Sequence, residues 1–236
     1  MNGPTRWANR LRPDYGTIRS ASGIVRRYLQ LPIRRKLRYL VAMVVVAKNP
    51  AWEPVLGYDD EKAVQCISYF IRKSGGRLEK LKVIKLLYLA DRLSLTERGK
   101  PLNFDEYFSM PHGPVTSASL NGINGGLSHP SWKLLTLRKD GRTLELTGDA
   151  ENDRLSRADC KILDQVWRDF GHMRAWDIRG WTHENCTEYT EVESGRIQIS
   201  LDELLKAVGN PAPTEAAHNI RSLQRTIGTL KRASAN

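Results

Sequence analysis

Histidine and cysteine side chains are the groups in this sequence that could support metal or acid–base chemistry, and their spacing matches no common site. His183-Glu184 begins like a metalloprotease HExxH motif, but no second histidine follows one helical turn later. A zinc site on His183 and Cys186 would need two further ligands from distant positions, such as His112 or Cys160. The spacing therefore favours ordinary packing for these residues, and we expect no cofactor.

The other reactive side chains are also scattered. The three cysteines form no CxxC pair, which indicates reduced thiols and a cytoplasmic protein. A Cys–His nucleophile stays open, because such residues meet only in space, but packing is the favoured role. Paired acids precede predicted helices, where carboxylates favour the helix dipole; these are Asp59-Asp60, Asp105-Glu106 and Asp202-Glu203. The sequence has no phosphate-binding loop and no GxSxG elbow, so it predicts no enzyme activity.

Basic residues are concentrated at the start of the chain. Residues 1–42 contain ten Lys/Arg and one acid, whereas the other 194 residues contain 27 Lys/Arg and 25 acids. A basic arm can bind nucleic acid without reading its sequence, by neutralising phosphates. Alternatively, residues 1–50 form a disordered basic extension, or the protein starts at Met43, where the composition changes. The longest apolar run, Tyr39–Ala47, is about half of what a bilayer-spanning helix needs, so no membrane partner is expected.

Apolar periodicity predicts helices on both sides of one short β-hairpin. We expect a mostly α (α+β) fold, a helical bundle-like domain with a small antiparallel hairpin or sheet, because no alternating β-α pattern occurs. A linker at 209–213 separates a domain at 58–209 from a C-terminal amphipathic helix and tail at 214–236. The predicted helices begin near Asp60, Leu78, Pro114, Ser156, Ala175, Ser200 and Thr214.

The hairpin spans Trp132–Thr147. Asp140-Gly141 is typical of a two-residue turn, since such turns require positive φ. That turn would place Leu137 opposite Leu144 and Leu135 opposite Leu146, with Thr136 and Glu145 on the other face. A strand or loop is expected at 196–200.

The segment from Leu81 to Val115 joins the second predicted helix to a rigid corner. Asp91 interrupts the apolar stripe of that helix and would need a backbone amide or an arginine as its partner. Gly99 and Pro101 end the helix, and Pro114 is predicted to begin the next one. Gly113 and Pro114 make a corner that either docks two helices or presents an apolar recognition surface. The candidate surface residues are Phe104, Tyr107, Phe108, Met110, His112 and Val115.

Several short motifs in this region resemble one known family. They are Lys82–Asp91, Gly99-Lys100-Pro101-Leu102, Asp105-Glu106-Tyr107, His112-Gly113-Pro114-Val115, Leu155–Asp159, Phe170-Gly171 and Trp181-Thr182-His183-Glu184. Together they resemble the Panacea domain, the SocA-like antitoxins of bacteria and phages, over about residues 58–209. Two features depart from the pattern: Cys186–Tyr189 stands where relatives often have Pro-Glu-Trp-like residues, and the basic extension has no counterpart.

The resemblance implies an antitoxin that binds and neutralises a cognate protein toxin, and in one branch of the family a proteolytic adaptor that delivers the toxin to a cellular protease. It implies structural roles for Asp91, Gly99, Pro101, Gly113, Pro114 and His183. The expected contact surface combines the Phe104–Val115 segment with the C-terminal helix. An alternative is a nucleic-acid-binding regulator that uses residues 1–42 and the Arg221, Arg225 and Lys231 face. A third is a hydrolase that uses His112 or His183.

Overall fold

The computed structural model describes residues 55–148 and 151–234. Within these ranges, seven α-helices accompany two three-stranded antiparallel sheets, which confirms the mostly α fold. The predicted basic extension at 1–50 and the arm at 1–42 lie outside the described residues. The helices are α1 Asp60–Lys73, α2 Lys80–Arg98, α3 Ser117–Ile123, α4 Arg157–Phe170, α5 Ala175–Asn185, α6 Leu201–Ala207 and α7 Pro213–Ser234. The strands are β1 Arg77–Glu79, β2 Tyr107–Met110, β3 Gly113–Thr116, β4 Leu135–Leu137, β5 Thr143–Leu146 and β6 Ile197–Ile199.

Helix α2 is the centre of the core. Every residue from Lys82 to Asp91 is buried, so the helix is covered on nearly all sides and not along one stripe. Helices α4 and α5 and strand β3 pack against it. It ends at Gly99, whose φ of 65° belongs to the left-handed region that glycine adopts most easily.

The first sheet has the strand order β1-β5-β4. The predicted register is confirmed, with Leu135 paired to Leu146 and Leu137 paired to Leu144. The predicted two-residue turn is wrong: the Gly141 N–H donates to the Arg138 carbonyl, so Lys139 and Asp140 occupy the centre of the turn. The Asp140 carboxylate closes the turn by accepting from two backbone N–H groups, and these bonds lower its pKa to about 2. Strand β1, which the sequence did not predict, completes this sheet.

The second sheet has the strand order β3-β2-β6, and it corrects one helix boundary. Pro114 was expected at the first position of a helix, but it lies in β3 opposite Ser109 of β2. A proline is tolerated in such a short edge strand, where its missing N–H costs no central ladder bond. Helix α3 begins three residues later, at Ser117. The segment expected at 196–200 as strand or loop is the strand β6.

Capping boxes fix the starts of two helices, as their sequences predict. The Ser156 hydroxyl and the Asp159 carboxylate satisfy each other's backbone N–H groups at α4, and Ser200 does the same with Glu203 at α6. Burial raises the pKa of Asp159, but bonds from Arg98, Lys62 and Ser156 outweigh it and lower that pKa to about 2. These local signals placed both helices correctly.

The C-terminal helix α7 is only partly covered. Ala217 and Ile220 are buried, whereas Leu223 and Leu230 are exposed. The Gln224 amide donates to the Leu56 carbonyl at 2.7 Å, which holds the helix against the start of the described chain. Over residues 55–148 and 151–234, no helix combines the length and the apolar character that crossing a bilayer requires.

Candidate functional site

Two lysines of α2 extend into the protein and hold backbone carbonyls of other elements. The Lys85 side chain is fully buried, and its Nζ donates to the Pro114 carbonyl at 2.6 Å. The Lys82 Nζ donates to the Gly171 carbonyl at 2.6 Å. Each lysine nitrogen donates to a carbonyl of another element, so the two bonds tie β3 and the end of α4 to the central helix α2.

Gly113 lies directly against Lys85 and His183. Its φ of +89° is unfavourable for any residue with a Cβ. A Cβ at this position would also lie 2.8 Å from the Lys85 Nζ and 2.9 Å from the His183 Nε2. The corner of the β2–β3 hairpin therefore needs glycine for two independent reasons, its backbone conformation and the space available.

The surroundings of Lys85 and His183 disfavour the protonated form of both side chains. Burial is the main reason that the pKa of Lys85 is lowered to about 7; Cys186 opposes the shift, and nearby Arg179 contributes to it. Burial also lowers the pKa of His183, with added repulsion from Arg179 and Lys85. The His183 Nε2 is buried and has no hydrogen-bond partner among the described residues. Across the described ranges, no carboxylate hydrogen-bonds to the His183 ring, which packs against Gly113 at the corner of the hairpin, so the arrangement differs from a catalytic triad.

Two buried acids fix the segment between α2 and α3. Asp91 accepts from the Leu102 N–H at 2.8 Å and from the Tyr107 hydroxyl at 3.0 Å, so the expected backbone partner is present. Asp105 accepts from the backbone N–H groups of Ala118 and Ser119 at the start of α3. Burial raises the pKa of Asp91 to about 7 and that of Asp105 to about 6. Both carboxylates are occupied by structural hydrogen bonds.

The segment that departs from the family pattern packs against the same helix. The Glu188 side chain is fully buried and accepts hydrogen bonds from Tyr88 and Arg92 of α2. The Tyr189 hydroxyl donates to the Met110 carbonyl at 3.2 Å, and its ring lies 4.4 Å from the His183 ring. Sequence reasoning missed these contacts, because nothing in the local pattern pairs residue 188 with α2.

The predicted surface residues fall into three classes of exposure. Tyr107 and Val115 are buried in the core, Phe104, Phe108 and Met110 are half-buried, and His112 is exposed. Among the predicted structural residues, Asp91, Pro101, Gly113 and Pro114 are buried, His183 is half-buried and Gly99 is exposed. Most of these predicted residues therefore make contacts in the interior, and only part of the Phe104–Val115 segment reaches solvent.

Two concave surfaces lie beside the β2–β3 hairpin. An apolar groove of about 570 Å³ contains Met110, His112 and Val115, together with residues of α2 and Trp176. A second depression of about 350 Å³ contains Phe104 and Tyr107 and is bordered by Ile220, Arg221 and Gln224 of α7. The second depression thus joins the predicted segment to the C-terminal helix, as the expected contact surface requires. Binding by either surface stays a prediction.

Trp176 is the exposed aromatic residue of the groove, and sequence reasoning missed it. Its side chain is 60% exposed, and its ring meets the His112 ring edge-on with centroids 5.5 Å apart. The Arg179 guanidinium lies 5.4 Å from the Trp176 ring and donates to the Pro111 carbonyl at 3.2 Å. A tryptophan at the start of a short helix gave no sequence signal of its own, because only the tertiary contact with the hairpin defines its place.

Burial disfavours the reactive thiolate form of all three cysteines. Burial raises the pKa of Cys186 to about 12 and also raises the pKa of Cys66 and of Cys160. Within the part of the chain that the structure describes, no group of three or more His, Cys, Asp or Glu side chains could hold a metal ion.

The fold and the site define a small α+β domain. Its buried helix α2 supports, through Lys85, the β2–β3 hairpin that has Gly113 at its corner. Residues 83–188 match the family model of the antitoxin SocA-like, Panacea domain, which confirms the resemblance over that range. The match is narrower than the predicted 58–209, and that wider boundary stays a prediction. No curated protein matches the chain, and no solved structure does.

Proposed function

We propose that this protein is an antitoxin that binds and neutralises a cognate protein toxin and has no enzyme activity of its own. The observation that carries the proposal is the match of residues 83–188 to the antitoxin SocA-like, Panacea domain. The interior roles of Lys85, Asp91 and Gly113 support it, since Lys85 and Asp91 bond backbone groups of other segments and Gly113 packs against Lys85 and His183. The groove beside the hairpin leaves an apolar surface for a partner.

Charge pairing on α7 favours a protein partner over DNA. Arg221 of the predicted basic face pairs with Asp202 at 2.5 Å, and Lys231 pairs with Asp59 at 3.0 Å. Two of the three cations that were expected to contact phosphates are thus already neutralised within the protein. The described residues therefore add little to the nucleic-acid alternative.

The test is co-expression with the product of the adjacent reading frame. We expect that product alone to stop growth, and growth to return when this protein is co-produced. A core variant, Leu87→Asp, is the matched control and should not rescue, because Leu87 is buried in α2. A toxic neighbour that is neither rescued nor bound would overturn the proposal.

Stoichiometry separates binding from catalysis. In a titration of purified toxin, a binding antitoxin reaches full neutralisation only at a fixed molar ratio, whereas an enzyme would act in catalytic amounts. Neutralisation by a small fraction of one equivalent would refute the non-enzymatic role and favour the hydrolase hypothesis. The toxin's half-life in cells, with and without this protein, tests the adaptor role, since delivery to a protease shortens it.

A further inference from the structure

The groove beside the hairpin has an apolar floor. Leu81 and Ile84 of α2, Met110 and Val115 of the hairpin, and Leu120 of α3 line it. The second depression differs, because Asp105 and Glu106 are among its lining residues. A ligand in the groove would therefore bury apolar side chains, and this burial would supply most of the affinity.

One wall of the groove presents an anchored aromatic ring. Trp176 has one of the few large apolar side chains exposed in the described ranges, and contacts with His112 and Arg179 restrict its ring. A ring that is already ordered loses little conformational entropy on binding. Exposed tryptophans next to an apolar pocket are the residues that most often dominate binding energy.

The rim of the groove carries cations that are not paired with acids. They are Lys80, whose Nζ bonds the neutral Asn124 amide oxygen at 3.1 Å, and Arg142. Neither forms a salt bridge within 55–148 and 151–234, and Glu79 is the one acid that lines the groove. Exposed arginines elsewhere, such as Arg174 and Arg138, do have carboxylate partners. The rim therefore has an excess of positive charge that a partner can complement.

We infer that this groove binds an acidic, apolar-faced segment of a partner protein, with its apolar side chains on the floor and its carboxylates at Lys80 and Arg142. The inference rests on the proposed role in protein binding and adds where the partner docks and what its chemistry is. Arg142 is exposed and Lys80 is half-buried, so carboxylates of a bound segment can reach both cations. A peptide of this kind can dock as an amphipathic helix or as an extended strand.

A random dodecapeptide phage library panned on the full chain tests this inference. We expect the enriched peptides to combine apolar residues with Asp or Glu. For a labelled enriched peptide, fluorescence anisotropy should show at least about a tenfold loss of affinity on Trp176→Ala. Arg142→Glu should weaken binding several-fold and flatten its salt dependence.

Two variants outside the groove serve as controls. Ile197→Ala removes another exposed apolar side chain, and Lys161→Glu reverses an exposed cation on α4; both should bind as the wild type does. Enriched peptides that are basic or uncharged, an absence of enrichment, or equal binding by Trp176→Ala would overturn the inference. Thermal unfolding of each variant checks that the fold is kept, which we expect because the substituted side chains are exposed.

The same variants separate this inference from the proposed function. If Trp176→Ala and Arg142→Glu still neutralise the toxin at a fixed molar ratio, the toxin docks elsewhere and the inference fails while the antitoxin role stands. If the wild-type chain neutralises no toxin but binds acidic peptides in the groove, the antitoxin role fails and the peptide specificity stands.

Discussion

Replacement of Lys85 by methionine should remove a specific pH dependence of stability. The Lys85 side chain is fully buried and lies between the hairpin and α5. Burial lowers its pKa from 10.5 to about 7, with repulsion from Arg179 acting in the same direction and Cys186 opposing it. Methionine has a similar length and no ionisable group, so Lys85→Met fills the same space without the titration.

The sign and size of the effect follow from proton linkage. Between pH 7 and 10.5 the unfolded chain holds a proton on Lys85 that the folded protein has released, so the free energy of unfolding rises with pH. From pH 6.5 to pH 9.5 this rise amounts to about 3 kcal/mol, at about 1.4 kcal/mol for each pH unit over which only the unfolded state is protonated. Below about pH 7 both states are protonated and the contribution is constant. The methionine variant lacks this rise.

Urea denaturation at half-unit steps between pH 6.5 and 9.5 measures the difference. Groups that do not act on Lys85, such as Asp91 and Asp105, titrate alike in both proteins and cancel when the two free energies of unfolding are subtracted. The variant should gain on the wild type by about 3 kcal/mol as the pH falls across this range. Lys161→Met on the exposed face of α4 is the matched control and should show no such trend. A difference that stays constant with pH would refute the argument, because Lys85 would then keep its proton in the folded protein.

Three further substitutions test single contacts, each by urea unfolding. Gly113→Ala should lower the free energy of unfolding by at least about 2 kcal/mol, because Gly113 combines a positive φ with a close approach to two side chains. Gly75→Ala, at a position with positive φ but open space, should lower it by about 1 kcal/mol. Equal losses would contradict the steric argument. Glu188→Gln should lower the free energy of unfolding by about 3 kcal/mol, since it leaves the largely buried Arg92 without its charge partner. Asp177→Asn, which breaks an exposed ion pair, should lower it by less than about 1 kcal/mol. Ser156→Ala should cost about 1 kcal/mol by removing one half of a capping box, and no change would mean that water satisfies the exposed N–H equally well.

Short-range sequence patterns were sufficient to predict the register of the β4–β5 hairpin and the starts of two helices. The alternation of Leu135, Leu137, Leu144 and Leu146 fixed the hairpin register, even though the turn between the strands is built differently from the prediction. The helix starts near Ser156 and Ser200 were predicted correctly, because a Ser and an acid three residues apart act on neighbouring backbone groups alone.

Contacts between distant segments could not be predicted in the same way. Pro114 is compatible with the first turn of a helix and with an edge strand, and only the pairing with β2 decides between them. Lys85 was part of a recognised motif, yet its burial depends on the hairpin and α5 covering α2. Trp176 belongs to the groove because α5 lies beside the hairpin. These contacts join residues that are far apart in the sequence. The buried bond of Lys85 and the place of Trp176 in the groove therefore became apparent only in the fold.

The turn between β4 and β5 has a consequence for how partner choice could evolve. Gly141 and Arg142 reach the rim of the groove from a sheet other than the one that holds the hairpin corner. The turn is exposed, and its bond to α2 runs through the backbone, from the Lys80 N–H to the Arg142 carbonyl, so exchanged side chains there leave α2 and its buried lysines in place. A lineage could thus acquire a new binding target by changing the charges of one surface loop, while the inherited scaffold continues to fold as before.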